Sequence, residues 1–499
     1  MYTPTQDDIR LLTQSTRDVY CYLDILNKNF KKIGSLDGQV ISDSYSFNAG
    51  SDVRKTVSLS IHVSDSSLLI GRDKKVWYDK YIDVSMGIKN IRTKEIVKYP
   101  IGTFLFYDIN YSYSASDRTL NLSLVDRVAE LNGDKSGILS GMETRIPAGS
   151  DMRSSLVNAA SRLGKIAKYR IDDPEQEIPY DLEFGQGSTV WDIIKTIRDL
   201  YPGWEAFFDG DTFIFQSYPT TTSAPVVLDS DIMRPLVISE NPSHKLNETK
   251  NVIELWGKCL DADYYTETVT MTNSGSTTSI ALTYDGVTGL EENALYGFKA
   301  NADNVGAVTA KIGSLTSLPV YGENNAELSA GRIKSGNSYV IKYKKLGSSG
   351  YFYFCGEYQI AAIAKLVTSE PTDEEKAADI ENEPISNISY VVEPDSPYAI
   401  DVIGEIRAVR HGGEYDNIFS EDLASQRAKY DLWLASDLQE TIQLECIEVP
   451  WLDVNQKISY TSFRSGETHE YIVETKSGST TGGTMTLTCS RFKPLYSWQ

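Results

Sequence analysis

Polar and apolar residues alternate without a break in Thr56-Val57-Ser58-Leu59-Ser60-Ile61-His62-Val63. A period of two places Val57, Leu59, Ile61 and Val63 on one face of a β-strand and the polar residues on the other. The stretch therefore predicts a half-buried strand, with one face in a core and the other facing water.

The same pattern recurs on both sides of this strand. Strand-like segments lie at 19–25, 42–47, 99–106 and 120–124. Short strands at this spacing are typical of a β-sandwich or β-barrel.

The period changes near residue 136. Ser150 is predicted to cap one helix, and Ser188 or Thr189 to cap a second. Two strands around the tight turn Asp209-Gly210-Asp211 follow the second helix. We therefore expect a small α/β module at 136–239.

An insertion interrupts the next part of the chain. The Ser/Thr/Gly-rich stretch 268–278 reads as a linker, and the segments after it are strand-like as far as residue 359. The acidic run 371–383 is predicted to be an exposed loop, in which a helical turn could form.

One helix is predicted near the C-terminus. Ser420 would cap it, and Ala424, Ala428, Leu432 and Ala435 would share its buried face. Further strand-like segments follow this helix.

Composition and charge exclude several classes of protein. The 499 residues carry 48 Lys and Arg against 69 Asp and Glu, a net charge of −21. A chain this acidic is a poor binder of duplex DNA or of anionic membranes across its outer surface, although local basic patches could exist. The start of the chain resembles no signal peptide, and no apolar run approaches the roughly 18 residues of a membrane span. We expect no specific nucleic-acid binding, no stable membrane insertion, and folding in a cytoplasm.

The chain shows no pattern of catalytic or metal-binding residues. Its five cysteines lie far apart without a CxxC motif, and its four histidines have no metal-ligand spacing. The carboxylates around Asp209-Gly210-Asp211, and the pair Asp229 and Asp231, fit a turn and a loop better than a metal site. The sequence thus predicts no catalytic, cofactor or metal site, and a protein that is not an enzyme.

Tyrosine is the commonest aromatic residue, with 31 copies against 15 Phe and 7 Trp. It favours half-buried strands and interfaces, where one end of the side chain is apolar and the other wet. In the insertion, Tyr296, Tyr321, Tyr351 and Tyr353 are candidate glycan contacts, because exposed aromatic rings can stack on sugars. The alternative is that these tyrosines form a core.

Several motifs resemble those of the tail hub, or baseplate hub, of phages and phage-tail-like particles of Gram-positive bacteria. The first is Ser42-Asp43-Ser44-Tyr45-Ser46-Phe47 followed by Gly50-Ser51-Asp52-Val53-Arg54-Lys55-Thr56. The others follow in the same order as in that family: Tyr99-Pro100-Ile101-Gly102-Thr103-Phe104, Leu122-Ser123-Leu124-Val125-Asp126-Arg127, Val190-Trp191-Asp192-Ile193-Ile194, Phe207-Phe208-Asp209-Gly210-Asp211, Ser396-Pro397-Tyr398-Ala399-Ile400, Gly413-Glu414-Tyr415-Asp416-Asn417-Ile418, Pro450-Trp451-Leu452-Asp453-Val454-Asn455 and Arg491-Phe492-Lys493-Pro494.

The resemblance implies a fold that is mainly β with α+β parts. It comprises a first tube-like β-barrel domain at 1–135 and the α/β module at 136–239. A second tube-like β-barrel domain with one helix would occupy 240–266 plus 360–499. The inserted β-domain would occupy 267–359.

The resemblance also implies a function and partners. Such a hub is a homotrimer at the virion tail tip, whose six barrels match a sixfold tail to a threefold spike or fibre. It closes the tail tube and opens for DNA. Its implied partners are a distal tail or tail tube protein, the tape-measure protein, and a separate spike, fibre or lytic tail protein. The alternatives are a distal tail ring protein, a carbohydrate-binding adhesin acting through 267–359, and a cell-wall-degrading enzyme.

Overall fold

The alternating segment around Leu59 lies inside a large sheet. A computed structural model describes residues 4–36, 40–64, 66–114, 118–141, 144–179, 181–201, 203–259, 269–283, 287–292, 294–322, 325–346, 349–357, 359–383, 385, 387–418 and 420–494. The chain divides into two compact units, Met1–Leu246 with Gln439–Ser497, and Asn247–Leu438 with Trp498–Gln499.

The first unit contains most of the predicted alternating strands. Its strands are β1 Val19–Leu26, β2 Lys32–Ser35, β3 Val40–Asn48, β4 Lys55–His62, β5 Tyr81–Lys89, β6 Ile96–Tyr113, β7 Arg118–Val125, β8 Thr144–Ile146, β9 Tyr169–Ile171, β10 Leu182–Phe184, β11 Trp204–Asp209, β12 Thr212–Ser217, β13 Val226–Leu228 and β14 Val237–Lys245, and, beyond the second unit, β26 Gln439–Ile447, β27 Lys457–Thr461, β28 Thr468–Gly478 and β29 Thr484–Arg491. Its helices are α1 Gln6–Leu12, α2 Met152–Val157, α3 Val190–Asp199 and α4 Ser230–Leu236.

Thirteen of these strands form one sheet. The order is β14-β26-β29-β28-β3-β4-β7-β6-β5-β1-β2. Outside this order, β27 pairs with β28, and β13 pairs with β27. Strands from the two ends of the chain meet where β28 pairs with β3, over four register partners from Thr475↔Asn48 to Gly478↔Tyr45. We call this junction the β3–β28 seam.

One face of this sheet carries the main core of the first unit. Val57, Leu59 and Ile61 of β4 are buried there, as predicted, together with Tyr45 and Phe47 of β3. The intervening serines of both strands lie on the opposite face.

A smaller core holds the α/β part of the first unit. Thr189, one of the two residues predicted to cap this helix, is the N-cap of α3 and forms a capping box with Asp192. Helix α3 buries Trp191, Ile193 and Ile197. β11 and β12 form the predicted hairpin, in which Asp209 pairs with Thr212. The prediction of Ser150 as the other helix cap is wrong: Asp151 accepts the hydrogen bond from Ser154 N.

The second unit contains two further sheets. Its strands are β15 Val252–Cys259, β16 Val269–Ser274, β17 Thr277–Leu282, β18 Leu295–Lys299, β19 Ala307–Ile312, β20 Leu318–Tyr321, β21 Ser338–Leu346, β22 Ser349–Glu357, β23 Gln359–Val367, β24 Ile388–Val392 and β25 Arg407–His411, and its helices are α5 Asp373–Asn382, α6 Ile400–Ile403 and α7 Glu421–Ala435. The sheet orders are β24-β23-β15-β25 and β16-β17-β19-β20-β22-β21-β18.

Helix α7 has the predicted N-cap and face. The Ser420 hydroxyl accepts from Leu423 N at 3.3 Å, and Ala424, Ala428 and Leu432 are buried. The fold class, mainly β with α+β parts, is confirmed.

Two local predictions in the second unit are wrong. The stretch expected to be a linker forms the hairpin of β16 and β17 from Val269 onward, while residue 268 lies outside the described residues. The run expected to be a loop contains α5, because Thr372 and Glu375 form a capping box. Lys365 also holds this helix through ion pairs to Asp379 (3.0 Å) and Glu383 (3.1 Å).

The two units cut across the predicted second barrel. Residues 439–497 join the first unit because β26, β28 and β29 pair into its sheet, whereas 247–438 belong to the second. The division into four domains stays a prediction.

Candidate functional site

The face of the thirteen-stranded sheet that lies opposite the main core is lined with small polar side chains. Directly paired residues in neighbouring antiparallel strands point to the same face. One row of such partners crosses six strands: Ser239, Glu445, Thr486, Ser477, Ser46 and Thr56. A second row, Ser44, Ser58, Ser123 and Asp108, carries the face onward through β7 to β6.

Together these rows define the polar face, which spans eight neighbouring strands from β14 to β6. Its side chains are Ser239, Asn241, Ser243, Thr441, Gln443, Glu445, Thr486, Thr488, Ser490, Thr475, Ser477, Ser42, Ser44, Ser46, Asn48, Thr56, Ser58, Ser60, His62, Thr119, Asn121, Ser123, Asp108, Asn110 and Ser112. Asp108 and Glu445 are its acidic residues, and Lys245, which pairs with Gln439 at the end of β14, is a cation at its edge.

The polar face is concave where β3, β4, β7 and β6 lie side by side. A groove of about 430 Å³ opens there, and its lining includes Ser44, Ser58, Asn110, Asn121 and Ser123. Neutral hydroxyl and amide groups therefore dominate a wet, curved surface, which is suited to letting a polymer pass and poorly suited to holding one by charge.

Three of the resemblance motifs converge behind this sheet on a buried ion cluster, which we call the Arg54 cluster. The guanidinium of Arg54 donates to Glu205 Oε2 at 2.8 Å and to the carbonyl oxygen of Val454 at 2.7 Å. It also lies over the ring of Phe207, 4.0 Å from the centroid. Asn455 donates to the same Glu205 oxygen at 2.6 Å, so residues from three separate segments share one buried carboxylate.

An ion pair extends the Arg54 cluster. Lys55 Nζ lies 2.6 Å from Asp453 Oδ2, and Arg54 is also close to this carboxylate. Burial alone would raise the pKa of Asp453, but the charges of Lys55 and Arg54 outweigh burial and lower it to about 2. The Asp453 carboxylate is therefore held ionised beside Lys55 and Arg54.

A second buried network lies at the β3–β28 seam. Lys476 Nζ pairs with Glu448 Oε1 at 2.9 Å, and neither side chain is exposed to solvent. Tyr45 Oη donates to the other oxygen of Glu448. Burial, reinforced by the Glu448 charge, raises the pKa of Tyr45, so this phenol stays protonated as a donor. The network ties the N-terminal strands to the C-terminal ones.

The carboxylates weighed as metal ligands have structural roles. Asp211 pairs with Lys168, and its carbonyl oxygen accepts from Arg127 at 2.7 Å. Asp229 caps α4 by accepting from Ile232 N at 3.0 Å. Within the described ranges, no three His, Cys, Asp or Glu side chains lie close enough to hold a metal ion. In the same ranges, no helix combines the length and apolarity that a membrane span requires.

The four candidate glycan tyrosines separate into two environments. Tyr296 is 6% exposed and packs edge-on against Phe352, 5.9 Å between ring centroids, inside the core of the insertion. Tyr321, Tyr351 and Tyr353 are half-buried and lie together on the other face of that sheet. The role of all four in binding a glycan stays a prediction.

Sequence reasoning missed the polar face, although its residues were present in the alternating pattern. The apolar half of each strand predicts a core, whereas the polar half taken alone indicates only exposure to solvent. The predominance of Ser, Thr and Asn over Lys and Glu at these positions is the available indication.

A family model described as "Domain of unknown function (DUF5048)" matches residues 395–496. No curated protein matches the chain. Among solved structures, the chain is similar to the 43 kDa tail protein of prophage MuSo2 from Shewanella oneidensis, with 10% identity, 95% of this chain and 98% of that chain covered, and a TM-score of 0.46. It is similar to the tail protein from Neisseria meningitidis MC58, with 10% identity, coverages of 94% and 96%, and a TM-score of 0.45. It is also similar to the prophage tail protein gp18 from Listeria monocytogenes EGD-e, with 8% identity, coverages of 94% and 94%, and a TM-score of 0.40. All three are described as tail proteins.

Proposed function

We propose that this chain is the structural hub at the tip of a phage-type tail, and that the polar face forms part of its channel wall. The observation that carries the proposal is the continuity of this face across eight strands drawn from both ends of the chain. The order of the hub-like sequence motifs supports the same assignment.

The chemistry of the polar face suits the passage of DNA. Duplex DNA carries one negative charge per roughly 1.7 Å, and Lys or Arg side chains hold it by neutralising phosphates. A wall made mainly of Ser, Thr and Asn, with the acids Asp108 and Glu445 and the cation Lys245 at its β14 edge, offers few such cations, while its hydroxyl and amide groups stay hydrated. DNA would therefore slide along this wall without being retained.

The hub would work mechanically and not as an enzyme. Three copies would surround the channel, close the tail tube, match a sixfold tail to a threefold spike or fibre, and open when the receptor is bound. Its neighbours would be a distal tail or tube protein above, the tape-measure protein within, and a spike, fibre or lytic protein below.

The test is to add cations to the polar face. Tail particles would carry Ser44→Lys, Ser58→Lys and Ser123→Lys together, since these three residues are direct partners across β3, β4 and β7. We expect DNA release to slow several-fold, and more strongly at low salt, because cation–phosphate attraction is screened by ions.

Two controls make this test specific. Ser→Asn at the same three positions changes size without charge and should leave release unchanged. Ser329→Lys, at an exposed position of the second unit, tests the added charge alone. Unchanged release in normally assembled triple-Lys particles would rule out the polar face as a channel wall.

A further inference from the structure

The seven-stranded sheet of the insertion carries a group of tyrosines on the face away from its core. Tyr321 of β20 is the direct partner of Tyr353 of β22, so the two side chains share a face. Tyr351 lies two residues before Tyr353 and points to the same side. We call these three residues the tyrosine strip.

The core of the insertion does not use the tyrosine strip. Phe352 and Phe354, which alternate with the tyrosines along β22, are buried in that core. The rings of Tyr321 and Tyr351 lie 5.6 Å apart at 53°, and both side chains are half-buried, so part of each ring surface faces solvent.

Two lysines of β21, Lys342 and Lys344, pair with tyrosines of the strip and lie on the same face. Lys342, the partner of Tyr353, is 2% exposed and donates to the carbonyl oxygen of Ile380 in α5 at 2.8 Å. Helix α5 therefore bounds the strip at that end. Lys344, the partner of Tyr351, lies on the same face one pair further along.

The chemistry of this face favours a ligand that stacks and hydrogen-bonds. Tyrosine offers a large, rigid, amphipathic surface at low conformational cost. Burial raises the pKa of the neighbouring Cys355 to about 11, so its thiol is neutral and does not supply a reactive nucleophile. Cys355 therefore adds no reactive nucleophile to this face.

We propose that the tyrosine strip binds pyranose rings of a cell-surface polysaccharide. The C–H groups on one face of a pyranose would pack on the open rings of Tyr321 and Tyr351. The sugar hydroxyls at the ring edge would exchange hydrogen bonds with the phenol groups and with the Lys344 ammonium. This binding function is independent of the channel role of the polar face.

Binding of the full-length chain to an immobilised panel tests the proposal. The probes are oligosaccharides of glucose, galactose, rhamnose and N-acetylglucosamine, and soluble cell-wall polysaccharide from Gram-positive bacteria. We expect the wild type to bind at least one probe. Tyr321→Ala and Tyr351→Ala should each weaken that binding at least tenfold, whereas Tyr351→Phe should retain most of it. Tyr113→Ala, which changes a 54%-exposed tyrosine of the first unit, is the matched control.

A second measurement uses only the wild-type protein, so it does not depend on whether a variant folds. Tetranitromethane nitrates accessible tyrosines, and mass spectrometry reads each site in the wild type. A bound probe should protect Tyr321 and Tyr351 but leave Tyr113 unprotected. The proposal is overturned if the wild type binds no probe, if the alanine variants bind like the wild type, or if the bound probe protects neither tyrosine.

Discussion

A single residue, Arg54, connects three distant segments of the first unit. Its guanidinium holds Glu205 and the Val454 carbonyl oxygen, and it is only 5% exposed. Replacing Arg54 with Ala would leave Glu205 buried without its cation, which costs about 3–5 kcal/mol. We expect the free energy of unfolding of Arg54→Ala to fall by that amount in urea titration.

Arg10 supplies the contrast for this prediction. It pairs with Asp7 at 3.0 Å, but both side chains are about three-quarters exposed, at 74% and 76%. Exposed pairs contribute at most about 1 kcal/mol. Arg10→Ala should therefore leave the unfolding midpoint nearly unchanged, and equal losses in both variants would show that burial is not the cause.

Asp126 gives the stability of the first unit a dependence on pH. Burial raises its pKa to about 6, even though its carboxylate accepts from Lys55 N and Val128 N, each at 2.9 Å. In an unfolded chain the pKa would be about 3.9. The folded state thus holds the proton more tightly, and this residue's contribution to stability is lost as the pH rises from about 4 to about 6.

The variant Asp126→Asn isolates this effect. It cannot ionise, so it does not lose stability in this way as the pH rises. Between pH 4 and pH 7, the free energy of unfolding of the variant minus that of the wild type should therefore increase by about 1–3 kcal/mol. Loss of one acceptor oxygen adds a cost that does not change with pH. A difference between the two proteins that stays constant over this range would contradict the prediction.

At the scale of elements, the β3–β28 seam depends on a glycine. A Cβ added at Gly478 would lie 2.7 Å from Tyr45 Oη, 2.9 Å from the Thr484 carbonyl oxygen and 3.0 Å from Glu448 Oε2. These atoms belong to the buried network or to the neighbouring strand, so they have little room to move. Gly478→Ala should destabilise the protein by about 1–3 kcal/mol.

Gly185 is the matched control for the seam. A Cβ added there meets no atom within 4 Å. Gly185→Ala should be neutral or slightly stabilising, because alanine restricts the unfolded chain. Thermal unfolding of the two variants compares them directly, and an equal loss in both would show that Gly478 is not constrained by its neighbours.

The elements differ in how far the sequence could predict them. The strand containing Leu59 was predictable because alternation is local, and α3 because Thr189 begins a recognisable cap. Helix α5 was missed because its acidic composition was given more weight than the capping box of Thr372 and Glu375. For the candidate glycan tyrosines, separating Tyr296 from the other three required the register of β18, β20 and β22.

At the scale of the whole molecule, the pairing of β28 with β3 could not be predicted. These strands lie more than 400 positions apart in the sequence. Just beyond β28, for example, Ser479 donates a hydrogen bond to Asp43, 436 positions away. No local pattern specifies so distant a partner. The polar face exists only because the two ends of the chain meet there. The resemblance motifs indicated that Arg54, Phe207 and Asp453 matter but not that they converge.

The last prediction concerns assembly. In the part of the chain that the structure describes, the thirteen-stranded sheet is open and ends at β14 and β2. An open sheet that walls a channel must be completed by other copies, and unlike edges meeting in a cyclic arrangement give a closed ring. The proposed hub has three copies, so light scattering at several concentrations should give three times 55.6 kDa, about 167 kDa. A hexamer would favour a distal tail ring. A mass of 55.6 kDa at every concentration would show that copies of this chain do not complete the sheet by themselves. A neighbouring tail protein would then have to complete it.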